Sequence, residues 1–403
     1  MKSQLPKGFA SEIDLLRGMF AGLVVLGHAI DISILSSSRD IFYEVLIRLR
    51  GGLGFVWVIG FVVLSGYCIE LSCMKRKIFS APRYFAQRVT RIFPLLIVCV
   101  AIAGLIEWNI ANSPDRPKVW QGKTGSYFFL INLLGAGGFL GQFGSIAPAY
   151  TISYELLYYA VWGISRTVAG ERVQLALVMN FGFALAYVML PAEYIGEFPT
   201  LLGALLKQFI LLIYLPWLIG AGTAIYLTRL AANQVVRRIA SFGWFIVFLV
   251  VLIGGKAYRM PAFETTYVSL TYYLLLGFSF SLLIIRAKVL HVESFEAKWK
   301  RLLGEISYPL FLVHGPIIIL VGYLTNSHAI ALPFIAHLLL LLIAAFVAAS
   351  VLLVTVERPV MRLRSEYFTD PRPAIPATVS LQCPGDAIKP ASPWAESSND
   401  PAD

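Results

Sequence analysis

Chemistry in this chain can begin at two ionisable side chains set inside an apolar stretch. In residues 12–31, EIDLLRGMFAGLVVLGHAID, Arg17 and His28 stand eleven positions apart. At about 100° per residue that is three turns plus roughly 20°, so both project from one helix face, about 16 Å apart along the axis. Asp14 lies about one turn before Arg17, and Asp31 about one turn after His28, on a similar face. An imidazole can take a proton near neutral pH, and a carboxylate such as that of Asp31 can orient it. A guanidinium can hold an anion through paired charge-assisted hydrogen bonds. In lipid such groups are costly and usually face a bundle interior or a wet cavity. A snorkelling arginine near the cytosolic end, with a satisfied buried histidine, fits the same residues.

The elements that must position these groups are membrane spans. The 403-residue chain is 58% hydrophobic and 14% charged, with a mean hydropathy of +0.73, which describes a multi-pass membrane protein rather than a soluble globule. The expected fold class is all-α: a polytopic membrane helix bundle of about ten transmembrane helices plus one half-spanning segment. The helices are expected at residues 15–35, 51–72, 92–110, 149–167, 173–190, 201–227, 242–255, 265–285, 306–324 and 330–356. Residues 125–148 mix aromatic and apolar residues with repeated glycines, and are expected to form the half-spanning piece, buried in protein.

The link 73–91 carries Lys75, Arg76, Lys77, Arg83, Arg88 and Arg91 and no acidic residue, so it is expected in the cytoplasm, and both termini with it. The net charge of +10 is then an asymmetry between loops, not an affinity for nucleic acid. From residue 365 the chain is polar and holds seven prolines. It is expected to be a disordered cytoplasmic tail on a membrane-embedded domain of residues 1–364. Cys68, Cys73, Cys99 and Cys383 lack metal-ligand spacing and read as free thiols.

The Arg-x10-His spacing behind Glu12-Ile-Asp14 resembles the first motif of the acyltransferase-3 family, bacterial integral-membrane O-acyltransferases that modify sugars and related hydroxyl acceptors. Later stretches resemble the family's further motifs in the same order. They are FVVLSGY at 61–67, RYFAQRVTRIFP at 83–94, TISYELLYY at 151–159, ISYPLFLVHGP at 306–316 and VERP at 356–359. The second of these departs at Gln87-Arg88, where many members have two adjacent basic residues.

The resemblance implies an acyl-coenzyme A donor, acetyl-CoA foremost, and no metal. The acceptor would be a hydroxyl of a surface or exported glycan, glycolipid or similar molecule, at the bacterial cytoplasmic (inner) membrane. Arg17, Arg88 and Arg91 would hold the donor's phosphates from the cytosolic side, with Ser65, Tyr67 and His314 along the donor or acyl path. His28, about 21 Å past Asp14 in a ~30 Å core, would serve as base or acyl carrier, oriented by Asp31. Glu155 would receive or orient the acceptor hydroxyl.

Other readings stay open for single residues. Ser65-Gly66 suits helix packing, Arg88 and Arg91 suit anchoring at anionic lipid, Glu155 suits a salt bridge, and His314 suits a structural hydrogen bond. Glu357 and Arg358 read as scaffolding at the cytosolic face. For the whole chain the alternative is a transporter of an anionic or glycan-linked solute, which also needs intramembrane Arg, His and Glu. The chain lacks the paired broken helices in two related halves that such folds show.

Overall fold

The computed structural model describes residues 7–36, 53–75, 78–119, 123–190, 208–257, 266–289 and 298–368. Backbone polar groups in lipid must be satisfied within their own segment, and the apolar runs accordingly close into helices. In chain order these are α1 (Lys7–Ser36), α2 (Leu53–Met74), α3 (Ala81–Ile110), α4 (Ser126–Leu133), α5 (Gly137–Leu140), a 3-10 segment (Gly144–Tyr150) and α6 (Thr151–Ala169). There follow α7 (Val173–Val188), α8 (Gln208–Ala232), α9 (Gln234–Ser241), α10 (Gly243–Ala257), α11 (Thr266–Val289), α12 (Lys298–Ser327), α13 (Phe334–Leu352), a π turn (Leu353–Glu357) and α14 (Arg358–Phe368). No named strand occurs among the described residues.

Among the described residues, seven helical runs are long and apolar enough to cross a membrane: Phe9–Leu35, Phe55–Met74, Ala81–Ile110, Phe209–Ala232, Val268–Val289, Lys298–Ser327 and Phe334–Phe368. The pair α9 and α10, bent by 62°, makes an eighth if taken as one span. Each stretch expected to be a helix holds one, but α7 has only 16 residues and α6 also falls outside the seven. Residues 125–148 are two short helices and most of the 3-10 segment, joined at Gly135, Gly141 and Gly144, whose positive φ values of 71°, 131° and 41° suit glycine.

Several expected boundaries move, and two of the shifts matter most here. The third helix begins at Ala81 rather than near 92, with Pro82 in its first turn, where a missing N–H costs nothing. Arg83, Arg88 and Arg91 are therefore helical and not part of a loop. At the other end α14 continues to Phe368, and the remainder of the expected tail lies outside the described residues.

The core is organised by two close helix pairs. α1 and α12 run parallel. A methyl added at Gly18 would meet Leu303, one at Gly304 would meet Asp14, and one at Gly322 would meet Ile32, so the contact climbs both helices together. α2 and α8 also run parallel, with Phe55 stacked on Phe209 at 5.7 Å. Their backbones touch where Gly66 faces the Trp217 carbonyl and Gly220 faces the Val63 carbonyl, the approach that small residues allow in membranes. Pro309 and Pro316 sit inside α12 without ending it. The run α13–α14 carries one π turn, the insertion of an extra residue into the α-helical ladder. The outer face of α13, with Leu339, Ile343, Val347 and Val351 exposed, suits contact with lipid.

Candidate active site

The bundle brings most of the expected residues to two levels of the α1–α12 pair. The lower level is a cavity of about 490 Å³ where the N-terminal ends of α1 and α12 meet α3, the π turn and α14. Arg17, Arg91, Arg301, Arg358 and Arg362 line it with Asp14, Glu305 and Glu357. Five guanidiniums face three carboxylates, so the cavity keeps a positive balance suited to an anion.

Its ion pairs fix the side chains. Arg17 Nη1 is 3.6 Å from Asp14, Arg358 Nη2 is 2.9 Å from Glu305, and Arg301 Nε is 3.1 Å from the same glutamate. Arg91 pairs with Glu357, and its guanidinium lies 5.0 Å over the Tyr308 ring. Tyr308 Oη donates to the Ile92 carbonyl at 3.0 Å, tying α12 to α3. Lys300 pairs with Glu12 at the same end.

Arg88 does not join this cavity. Its Nη2 donates to Ser72 Oγ at 2.7 Å and its guanidinium lies 5.3 Å over Tyr84. A separation of three residues leaves two side chains about 60° apart around the helix. That is enough for α2 to take one arginine while α12 and α14 take the other. Tyr67 is also elsewhere: fully buried, it meets Phe9 edge-on at 6.3 Å.

The upper level is an imidazole pair. His28 and His314 stack with ring centroids 5.3 Å apart and planes 15° apart. Phe311 lies 6.1 Å from His314 and itself stacks on Phe61 of α2 at 5.6 Å. His314 is fully buried, and its Nδ1 bonds the Leu310 carbonyl at 3.1 Å. Asp31 follows His28 by three residues, half-buried.

Glu155 sits between the levels. The 3-10 segment abuts α12 where Gly315 leaves room for the Ser145 carbonyl and Pro148. α6 therefore starts beside His314, inside the bundle. One turn on, Tyr159 Oη donates to Glu155 Oε2 at 3.2 Å and contacts Ser65 Oγ at 2.8 Å. Tyr84 Oη holds the Tyr159 carbonyl at 3.1 Å. Arg17 is close enough to Glu155 for a Coulombic interaction. Ser65 and Glu155 are thus joined through a tyrosine that the sequence reading assigned no role.

Sequence reasoning also missed Arg301, Glu305 and Arg362, and took Glu357 and Arg358 only as scaffolding. For Arg358 and Arg362 the signal available was the cluster RPVMRLR at 358–364 directly behind the last apolar run. A second buried ionic group supports α6 from below: Glu70 accepts from Trp162 Nε1 at 3.0 Å and lies 3.6 Å from Arg166. Toward the opposite end, Arg116 grips Glu107 through Nε at 3.1 Å and Nη2 at 2.9 Å, both buried.

A family model described as an acyltransferase domain, acyltransferase-3, matches residues 11–354. BcsY of Komagataeibacter xylinus, a protein to which the name membrane-bound transacylase has been given by inference, is 25% identical over 334 residues, covering 79% of this chain and 75% of its own length. No solved structure matches the chain.

Proposed function

The chain belongs to the acyltransferase-3 family, as a multi-pass membrane acyltransferase, and from that premise we propose that it moves an acetyl or similar acyl group from acyl-coenzyme A to a hydroxyl. The acceptor is a surface or exported glycan, a glycolipid or a similar molecule, reached at the bacterial cytoplasmic membrane. What carries this reading is one helix: α1 holds Arg17 in the arginine-lined cavity and His28 in the imidazole pair. A donor bound by its phosphates at the cavity could extend its thioester along that face. The cavity's size is within the ordinary range for ligand sites. Its residues Arg17, Arg91, Arg301, Arg358 and Arg362 would hold phosphate oxygens by charge-assisted bonds.

His28 is the residue assigned to the transfer itself, as base or as acyl carrier. An alcohol is a poor nucleophile at neutral pH, and an imidazole can relieve that either way. Asp31 orients the ring, and Glu155 with Tyr159 and Ser65 forms the polar wall toward the acceptor. The test uses the purified full chain in lipid vesicles with acetyl-CoA and a glycolipid extract of the cells that make it. Thiol release with acetylated product is the expected result, lost by about 10² or more in a folded His28→Ala variant. Solute flux into the vesicles without donor, and no thiol release, would turn the reading to transport.

A further inference from the structure

His314 carries an inference that deepens the acyl-transfer reading and rests on it. A carbonyl oxygen can only accept, so the 3.1 Å contact between His314 Nδ1 and the Leu310 carbonyl requires the proton on Nδ1. In the neutral ring Nε2 then holds a bare lone pair. That nitrogen is buried and has no hydrogen-bond partner among the described residues. An unpaired buried acceptor is costly, and the ring bearing it is stacked 5.3 Å from the ring assigned to the transfer. A hydroxyl group brought to the pair would complete it.

We infer that the two imidazoles divide the reaction: His28 carries the acyl group, and His314 Nε2 is the base that takes the proton from the acceptor hydroxyl. In the first half a ring nitrogen of His28 attacks the thioester carbonyl carbon and the C–S bond breaks. The sulfur leaves with the electron pair and takes the proton that the acylated ring gives up. In the second half the acceptor oxygen bonds to the acyl carbon, and its proton passes to His314 Nε2. The C–N bond to His28 breaks, and the departing ring takes that proton back from His314. Donor and acceptor become thiol and ester, and both histidines return to their starting state.

The variant that isolates this role is His314→Asn, whose amide N–H can still reach the Leu310 carbonyl but which has no basic nitrogen. The full chain in lipid vesicles is given acetyl-CoA and the glycolipid extract. The expected result is one equivalent of thiol released in a burst, acetyl retained on the peptide that contains His28, and turnover slowed about 10²-fold or more. The His314→Gln variant is expected to behave alike, and covers the case in which the asparagine variant does not fold. Turnover within threefold of wild type in either folded variant overturns the assignment. So does loss of the burst together with turnover, which would put His314 in the donor half. A wild-type chain that releases no thiol overturns the acyl-CoA reading itself, and this inference with it.

Discussion

A methyl group at Gly66 tests both the packing and the site that hangs on it. The added carbon would fall against the Trp217 carbonyl, with that carbonyl's carbon at 2.9 Å and Ala221 N at 3.2 Å. These are backbone atoms of α8, so no flexible side chain can yield. Ordinary carbon contacts are about 3.5–4.0 Å, and α2 and α8 must therefore part by about 1 Å. Overpacking of this kind costs about 1–3 kcal/mol. The shift also carries Ser65, its neighbour, away from Tyr159 Oη, now 2.8 Å distant. A misplacement of about 1 Å near reacting groups can cost on the order of 10²-fold in rate. Gly22→Ala is the control: it is a helical glycine of α1 with nothing within 4 Å of the new carbon. There the change is expected to stabilise by about 0.5–1 kcal/mol through backbone entropy. Thermal melting of the two variants in detergent, with acyl transfer measured alongside, gives the answer. If Gly66→Ala melts as high as Gly22→Ala and transfers at the wild-type rate, the close helix crossing does not have the role argued here.

Replacing Arg91 with Leu leaves the buried Glu357 carboxylate without its cation, and is expected to cost about 3–5 kcal/mol with a rise of at least roughly tenfold in the donor KM. Adding Glu357→Leu should recover the melting temperature without recovering the KM; recovery of both would make the pair purely structural. Tyr159→Phe removes the hydroxyl joining Ser65 to Glu155, and is expected to lower stability by about 0.5–1.5 kcal/mol. Its kcat should fall more than its donor KM changes, and a change confined to the KM would place that wall on the donor side.

Helix positions were legible because backbone in lipid has few alternatives, and the broken stretch at 125–148 was legible from its glycines. The start of α3 was misread: basic residues at 83–91 looked like a loop, although Ser80-Ala-Pro82 is an ordinary helix opening. Arg17 and His28 could be placed on one face because a single helix fixes both. Arg91 with Glu357 could not be, since the partners are hundreds of residues apart and meet only through folding. The place of Glu155 beside Tyr159 and Ser65 was hidden for a related reason. It depends on where the 3-10 segment stops against Gly315, and no local pattern encodes that contact.

The π turn at Leu353–Glu357 acts as a phase adjuster for everything beyond it. One surplus residue swings the following helix by about 100° relative to an uninterrupted one. Glu357 is thereby aimed at Arg91, Arg358 at Glu305, and Arg362 at the mouth they share. Deleting a single residue there would leave a tidier helix and a poorer enzyme, because three gatepost side chains would be dialled away from the opening at once.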